Sequence, residues 1–321
     1  MRLPPAPLSM IIVFGSINID LVARVDRLPR AGETVLGPGY DVIPGGKGAN
    51  QALAARRAGA DVVLVGAVGR DAFADTALSE LAAAGVDLTH VARLDAPTGA
   101  AFIAVDASGE NQIIVASGAN AAVRASALDP LVAAPRDILM MQWEVPEAEL
   151  LAAARWGRAR DLRIILNRAP AGPISAELAD LLDMVVVNEH EVMALGAGLG
   201  VTGEPDAVAA VLSERHGLAV AVTLGAAGAL CWADGIRHES PAYPVDVVDT
   251  TAAGDTFCGA FAAAIDRRRG YETAVEFAAA AGSLACTAFG AQPSIPHRPA
   301  IEAAAQVLAD QRNPHHRRLT E

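Results

Sequence analysis

Short apolar runs alternate with longer, alanine-rich amphipathic runs along most of this chain. The short runs have the length of buried strands, and the longer runs have the spacing of helices. Such alternation predicts an α/β fold in which a mostly parallel central sheet is covered by helices. The predicted strands are 11–14, 62–65, 138–141, 163–166, 184–187 and 219–224. The predicted helices are 49–58, 72–84, 147–159, 176–182, 189–195, 205–215, 254–267, 271–287 and 300–311.

Two segments in the N-terminal third, 33–43 and 100–115, interrupt this alternation. Both combine strand-forming residues with glycine turns, and no helix separates them from their neighbouring strands. We expect them to form a small antiparallel β lid beside the main sheet. The chain is then predicted to be one domain, 10–312, with a polar, disordered tail at 313–321.

Composition limits the partners of the chain. Its 321 residues carry a net charge of −12, which argues against binding to nucleic acid or to an anionic membrane. Proline interrupts the N-terminal residues, so no secretion signal is predicted there. Glycine and proline break the uncharged run 277–296, so it is predicted to be a buried helix and loop rather than a membrane span. The three cysteines, at 231, 258 and 286, have no metal-binding spacing and are expected to be reduced thiols in the cytoplasm.

The most informative motif is DTTAAGDTF at 249–257, directly before a predicted helix. Small residues at the start of a helix leave backbone N–H groups open to an anion. An aspartate at the rim of such a site would repel the anion, but Asp255 could take a proton from a hydroxyl that attacks a bound phosphorus. The alternative is a helix N-cap, a common role for aspartate.

Asn18 and Asp20 lie two residues apart in GSINID, 15–20, so in extended chain they point to the same side. An amide beside a carboxylate suits a polyol, although an Asx turn would also explain the pair. The only lysine of the chain, Lys47, lies in GGKGAN at 45–50. This segment fits neither a Walker A motif nor a dinucleotide fingerprint. Its glycines could bring backbone amides close to a sugar hydroxyl or form a hinge beside the lid, and Lys47 could simply be a solvated surface residue.

Three further segments follow predicted strands, where open α/β sheets bind their ligands. Glu144 ends MQWE at 141–144 and is well placed for a ligand, unless it only begins a surface helix. Asn188 and Glu191 share one face of a first helical turn and suit hydrated Mg²⁺, or they form a capping pair. The small-residue loop VTLGAAG, 222–228, suits a closely approaching nucleotide.

Taken together, these segments closely resemble the ribokinase branch of the PfkB-type sugar kinases, from about residue 12 to residue 301. The two signatures of that family resemble GGKGANQ at 45–51 and DTTAAGDTF at 249–257. The ribokinase branch is indicated by GSINID at 15–20, PRAGET at 29–34, SGANA at 117–121, MQWE at 141–144 and GAQPS at 290–294.

The resemblance implies a three-layer α/β/α ribokinase-like domain with a β lid, and usually a homodimer formed through two lids. It implies ATP-dependent phosphorylation of D-ribose at its O5 hydroxyl, giving D-ribose 5-phosphate and ADP. The implied cofactors are ATP, Mg²⁺ and K⁺ as a monovalent activator, and the implied partner is a small sugar.

Site residues follow from the same resemblance. Asp255 would be the base, beside an anion hole formed by the amides of Ala252, Ala253 and Gly254. The sugar would be held by Asn18, Asp20, Gly46, Lys47, Asn50 and Glu144. The nucleotide and Mg²⁺, the latter through water, would be held by Asn188, Glu191, Thr223, Gly225, Gly228 and Gly254. The potassium loop would use Asp249, Thr251, Ala285, Ala288, Gly290 and Ser294, several of them through backbone carbonyls.

The chain departs from the family at five positions. Alanines at 226, 227 and 279 stand where polar or basic side chains are usual near the nucleotide, which leaves the nucleotide preference open. Arg168 stands in place of a proline, and Trp143 is bulkier than the usual aliphatic residue, which leaves the exact sugar open. The rival functions are a kinase of 2-deoxyribose or of a nucleoside, and, in another class, an inactive sugar-binding regulator. Retention of Asp255 and Lys47 argues against the regulator, because a pure binding protein has no use for a base.

Overall fold

A computed structural model describes residues 10–267 and 269–312 of the chain. In chain order its strands are β1 Met10–Phe14, β2 Asn18–Arg24, β3 Tyr40–Gly45, β4 Asp61–Gly69, β5 Val91–Leu94, β6 Gly99–Val105, β7 Asn111–Ala116, β8 Ile138–Gln142, β9 Arg163–Asn167, β10 Met184–Asn188, β11 Ala219–Thr223, β12 Ala229–Ala233 and β13 Ile236–Ser240. Its helices are α1 Lys47–Arg57, α2 Ala72–Ala84, α3 Glu147–Arg158, α4 Ala176–Leu181, α5 Glu189–Gly198, α6 Pro205–His216, α7 Ala253–Asp266, α8 Tyr271–Ala285, α9 Ala291–Ser294 and α10 Arg298–Arg312.

Nine strands form the large sheet, in the order β13-β12-β11-β10-β9-β8-β1-β4-β5. The strands from β11 to β5 run parallel, and β12 and β13 extend the sheet antiparallel. Helices α1, α2, α7, α8 and α10 pack on one face, and α3 to α6 pack on the other. Because both faces are covered, the central strands are apolar throughout, which explains why short continuous apolar runs identified them.

The prediction of a three-layer α/β/α fold is confirmed. All six predicted strands and all nine predicted helices are present, with ends shifted by a few residues at most. The sequence reading missed the hairpin of β12 and β13, which turns at Asp234 and Gly235, both with positive φ. An Asp-Gly pair between two strand-forming runs is a strong hairpin signal, so this element was predictable.

The lid is a four-stranded sheet in the order β3-β2-β6-β7. It is mostly antiparallel, although β2 and β6 run parallel. The segment 100–115 forms the predicted strand pair. The prediction for 33–43 was only partly right, because the strand begins at Tyr40 and the preceding residues contain Gly37, Pro38 and Gly39. Strand β2 was not predicted as part of the lid.

Three further expectations concern the C-terminal tail, membrane-spanning helices and the cysteines. The predicted tail at 313–321 lies outside the described residues. Of the helices in 10–267 and 269–312, none combines the length and apolarity that a membrane span requires. Cys231, Cys258 and Cys286 are all free thiols.

Candidate active site

The candidate site lies at the carboxyl ends of β1 and β8, two neighbouring strands from which the chain continues to opposite sides of the sheet. Strand β1 connects through α1 to β4 on one side, and β8 continues to β9 on the other, so β1 and β8 flank a topological switch point. Open α/β sheets bind ligands beyond the carboxyl ends of their strands at such a point. The segments GSINID and MQWE follow these two neighbouring strands, and the N-termini of α1 and α7 face the same edge.

Asp255 is the third residue of α7 and is only 8% exposed. The N-cap is Ala252, whose φ of 60° is left-handed and which makes no side-chain cap bond. Asp255 is therefore not a helix cap. Its carboxylate instead accepts hydrogen bonds from Asn50 Nδ2 at 2.9 Å and from Gln51 Nε2 at 2.9 Å. The early and late motifs thus meet in one buried cluster.

Gln51 connects Asp255 to the ends of two strands. Its Oε1 accepts from Gln142 Nε2 at 2.9 Å, and its Nε2 also donates to Asn167 Oδ1 at 3.0 Å. All three amides are buried, and buried polar groups require such partners. The sequence analysis did not assign roles to Gln51, Gln142 or Asn167. Their polar side chains at predicted strand ends and inside the 45–51 motif were the available signal.

Asn18 lies in β2 rather than in an Asx turn, and it is 3% exposed. Its Oδ1 accepts from Asn120 Nδ2 at 2.7 Å, while Asn120 also bonds both backbone groups of Ile17. Asn120 therefore fixes the position of Asn18, a role that the sequence analysis did not assign. Near it, Asn50 Oδ1 is buried with no protein partner among the described residues. A buried acceptor without a partner fits a donor supplied by a ligand hydroxyl.

Tight packing accounts for two glycines of the 45–48 segment. Gly46 has φ +89°, and a Cβ there would lie 2.6 Å from the backbone nitrogen of Asn18. A Cβ at Gly48 would lie 2.5 Å from the backbone nitrogen of Ser16. Only glycine allows the start of α1 to pass so close to the β1–β2 connection. Sugar contact and hinge motion at this segment stay predictions.

Glu144 does not begin a helix, because α3 starts at Glu147. Its Oε2 accepts from Ser16 Oγ at 2.6 Å and from the backbone N–H of Lys47 at 3.1 Å. Glu144 therefore joins the loop after β8 to the loop after β1 and to the start of α1. Glu144 also lines a cavity of about 360 Å³, and its contact with a ligand there stays a prediction.

Three carboxylates and one ammonium group interact across this cluster. Burial, together with the charges of Glu144 and Asp255, raises the pKa of Asp20 to about 7, although the charge of Lys47 opposes this effect. Burial alone would lower the pKa of Lys47, but the attraction of Asp255 and Glu144 raises it overall. Lys47 is thus held as a cation inside an acidic site, which contradicts its reading as a solvated surface residue.

A small cavity joins Lys47 and Asp255 to the carboxyl ends of β10 and β11. Its other lining residues include Asn167, Asn188, Glu191, Thr223, Ala252 and Gly254. Among the residues that the structure describes, none has an atom within 4 Å of a Cβ placed at Gly254, so the first turn of α7 opens onto a cavity. Of the amides proposed for the anion hole, that of Ala253 also makes a turn bond of 3.2 Å to Thr250 O.

Asn188 and Glu191 form a capping box. Asn188 Oδ1 accepts from the N–H of Glu191, and Glu191 Oε2 accepts from the N–H of Asn188, both at 2.8 Å. Burial raises the pKa of Glu191, although Lys47 and Arg168 oppose this effect. Within the described part of the chain, no three His, Cys, Asp or Glu side chains gather in a way that could hold a metal ion. An amide and a carboxylate are the kind of oxygen donors found near a hydrated Mg²⁺ ion, and the role of Glu191 toward such an ion, through water, stays a prediction.

A larger and more apolar cavity, of about 560 Å³, adjoins the first. Thr223 and Gly254 line both, so the two form one continuous cleft. Its walls include Gly225, Ala226, Val245, Val247, Phe257 and Ala279. Gly225 has a φ of 55° and open space around it, whereas a Cβ at Gly228 would clash with the backbone at Pro241 and Ala242. Both glycines line the cavity, and at Gly228 the close backbone also leaves no room for a side chain.

The predicted potassium loop is assembled from two segments. Asp249 Oδ1 accepts from the N–H and hydroxyl groups of Thr251, and Asp249 Oδ2 accepts from Gly290 N at 2.9 Å. Burial would raise the pKa of Asp249, but these hydrogen bonds lower it overall. Ser294 Oγ, in α9, donates to Ala291 O at 2.8 Å. Ala285 ends α8, and Ala288 lies in the connection that follows it. The structure thus brings the two segments together, and the binding of a monovalent cation there stays a prediction.

Comparison with known proteins agrees with this architecture. Residues 8–298 match the model of the pfkB family of carbohydrate kinases. A ribokinase from Haemophilus influenzae is 39% identical over 89% of this chain and 95% of its own length. A ribokinase structure from Thermotoga maritima superposes with a TM-score of 0.84 at 35% identity, covering 93% of this chain and 99% of that one.

Two further relatives bear on the substrate. Arabidopsis thaliana ribokinase complexed with ribose and ATP superposes with a TM-score of 0.82 at 30% identity, covering 94% of this chain and 99% of that one. A deoxyribokinase from Salmonella typhi is 31% identical over 89% of this chain and 95% of its own length. On the extent of these matches, the chain belongs to the pfkB family of carbohydrate kinases.

Proposed function

We propose that the protein is an ATP-dependent kinase that transfers the γ-phosphoryl group to the O5 hydroxyl of D-ribose, giving D-ribose 5-phosphate and ADP. The observation that carries this proposal is the Asp255 carboxylate, clamped by Asn50 and Gln51 at the open first turn of α7. The ribokinase relatives, and the neighbour that holds ribose and ATP, support ribose as the acceptor.

The residues divide the reaction between them. Asp255 takes the proton from the sugar hydroxyl, and the oxygen of that hydroxyl forms a bond to the γ-phosphorus. The bond between the γ-phosphorus and the oxygen that bridges it to the β-phosphate breaks, and ADP leaves with that oxygen. The N–H groups at the first turn of α7 stabilise the charge on the transferred group. Lys47 reaches the same cavity as a cation. Bound Mg²⁺ would neutralise phosphate charge beside Asn188 and Glu191.

The sugar lies, in this proposal, between the lid and the loops that follow β1 and β8. Asn18, Asp20, Glu144 and Asn50 would bind its hydroxyls, joined by Gly46 and Lys47. The nucleotide would occupy the cleft between Thr223 and Gly254, with its base against Ala279 and Val247. The K⁺ ion would lie in the loop of Asp249 and Gly290, next to the start of α7.

We also propose that the protein forms a homodimer through its lids. Register places Val42, Leu21, Phe102 and Ile114 side by side across the four lid strands, on one face. Ile114 is 71% exposed and Phe102 is 49% exposed. An apolar sheet face left in water favours association, and a second copy of the lid would cover it with two-fold symmetry.

A coupled assay of ADP release tests the proposed activity. It would compare pentoses, hexoses and nucleosides as acceptors, with and without K⁺. Ribose is expected to give the highest kcat/KM, with K⁺ raising the rate. The second candidate, supported by the deoxyribokinase relative, is 2-deoxyribose as the better acceptor. Sugar binding without any ADP release would instead indicate an inactive sugar-binding protein.

A further inference from the structure

Arg168 is a buried cation that the proposed reaction does not use. It follows Asn167 at the end of β9, and it is only 4% exposed. Burial lowers the pKa of Arg168, and the attraction of Glu147 and Glu191 offsets part of this effect. Keeping a guanidinium charge out of water is costly unless the surrounding groups compensate for it.

The compensating groups belong to one short loop. Arg168 Nε and Nη2 donate to the carbonyl oxygen of Pro173, at 3.2 and 3.0 Å, and Nη1 donates to the carbonyl oxygen of Pro170. These bonds tie the loop 169–173 to the end of β9. That loop has no regular secondary structure, so these side-chain bonds help to fix its shape.

The same guanidinium lies over the ring of Trp143. Its central carbon is 3.9 Å from the centre of the indole ring, which is the geometry of a cation–π contact. The backbone N–H of Trp143 also donates to Ala169 O at 3.2 Å. Trp143 is therefore held by the Arg168 guanidinium on its ring and by the loop 169–173 at its backbone.

Trp143 borders the sugar side of the site, away from the reacting group. It lines a cavity of about 360 Å³ together with Asn18, Glu144 and Pro170. Lys47 and Asp255 line the small cavity at the first turn of α7 instead, where the proposed phosphoryl transfer takes place. If the O5 hydroxyl points to Asp255, then C1, across the furanose ring, is directed to the end bordered by Trp143.

We propose that Arg168 is a positioning residue that holds Trp143 and Pro170 as a rigid wall at the anomeric end of the sugar site. This wall selects free pentoses over pentosides that carry a group on C1, such as nucleosides. The inference rests on the proposed ribose kinase activity, because that activity fixes which end of the sugar faces Asp255.

The test compares four variants: Arg168→Gln, Arg168→Lys, Trp143→Leu and Arg160→Gln. Arg160 is the matched control, because its guanidinium also lies over an indole ring, that of Trp156, at 4.3 Å. It follows the C-terminal end of α3, near the amino ends of the strands and away from the site. Each variant would be assayed for kcat and KM with D-ribose and with methyl β-D-ribofuranoside. Thermal unfolding would confirm that each one is folded.

Arg168→Gln is expected to raise the KM for ribose about tenfold, or about 1.4 kcal/mol, because a wall that is no longer fixed must be ordered when the sugar binds. Its kcat should stay within about threefold, because Asp255 and its amides are untouched. In Arg168→Gln and Trp143→Leu the preference for ribose over the riboside should fall at least about tenfold, a change of about 1.4 kcal/mol. Arg168→Lys keeps the charge but loses the planar fork, so intermediate values are expected.

The outcomes separate the two proposals. If wild-type protein does not phosphorylate ribose, the proposed function fails at the first measurement. If it does, and Arg168→Gln matches Arg160→Gln in both KM and preference, the positioning role is wrong. Should Arg168→Gln not fold, Arg168→Lys carries the same decision, and wild-type values for that variant would overturn the inference.

Discussion

Asn50 Nδ2 lies 2.9 Å from Asp255 Oδ2, although 205 residues separate the two in the chain. Gln51 Nε2 bonds the other carboxylate oxygen at the same distance. The start of α1 thus holds the start of α7 by two amides on one carboxylate. Because both donors are neutral, they orient the carboxylate without neutralising its charge, as a general base requires.

Asp255→Asn should therefore lower kcat by at least about 100-fold with little change in sugar affinity, since it removes the base and retains the shape. Turnover by steady-state assay and sugar affinity by calorimetry would measure the two effects. Asp75→Asn is the control, because Asp75 is also a first-turn aspartate but has an exposed side chain on α2. A kcat within threefold of wild type would exclude Asp255 as the base.

Gln51→Leu should act through Asp255. The change removes one donor to the carboxylate and leaves the buried amides of Gln142 and Asn167 short of a partner. We expect kcat to fall about tenfold and unfolding to become easier by roughly 1–3 kcal/mol, the range for a buried polar group left unpaired. Denaturant unfolding and steady-state kinetics measure the two effects. An unchanged kcat in a destabilised protein would limit Gln51 to a structural role.

Lys47→Met should fold normally yet weaken sugar binding or turnover by more than about tenfold, because hydrogen bonds to a charged group commonly exceed 1.4 kcal/mol. The pKa of Lys47 is raised by Asp255 and Glu144 against the effect of burial, so its charge belongs to the acidic cluster. The assay is kcat and KM for both substrates, with circular dichroism as the check on folding. Wild-type kinetics would contradict a role in the reaction.

Asp20 should make sugar binding depend on pH near neutrality. Burial raises its pKa to about 7, so the carboxylate that accepts sugar hydroxyls forms only as pH rises through that value. The KM for ribose should therefore fall between pH 6 and pH 8, a window set by that pKa. Without sugar, the sign for stability is opposite. The folded state holds the Asp20 proton more tightly than the unfolded state, so the stability that this proton contributes is present below the ordinary pKa of 3.8 and is lost as pH rises from there to about 7.

Asp20→Asn should remove the change in KM over this range, whereas Asp41→Asn, on the exposed strand β3, should retain it. The measurement is KM for ribose at fixed saturating nucleotide in buffers of constant ionic strength. An equally steep profile in Asp20→Asn would assign the titration to another group.

Local sequence patterns predicted most of the fold. They predicted site residues only where a single segment contains the reacting groups, as in the motif at 249–257. Apolar runs identified the central strands because both of their faces are buried, and small residues marked the open first turn of α7. The amide network that supports Asp255 was harder to assign, because Gln51, Gln142 and Asn167 become neighbours only when α1, β8 and β9 pack together. Strand β2 was missed as a lid strand because its pairing with β6 joins segments far apart in sequence.

The lid face gives the last prediction. Val42, Leu21, Phe102 and Ile114 form one row across four strands, and their shared face borders an open apolar cavity of about 590 Å³ that Tyr40 also lines. Phe102→Asp places a charge at the centre of this row, where the proposed dimer would bury it without a partner. Loss of association is expected, because burying an unpaired charge costs several kcal/mol.

Light scattering at micromolar concentration should give a dimer for wild type and a monomer for Phe102→Asp. Val132→Asp is the control: Val132 is an apolar residue that is 93% exposed outside the lid strands, so its dimer should persist. A wild-type monomer would contradict the proposed dimer, and a Phe102→Asp dimer would place the contact outside the lid face. Because the opposite face of this sheet carries Asp20 toward the sugar, the monomeric variant should also bind ribose more weakly, which links association of the lids to closure of the site.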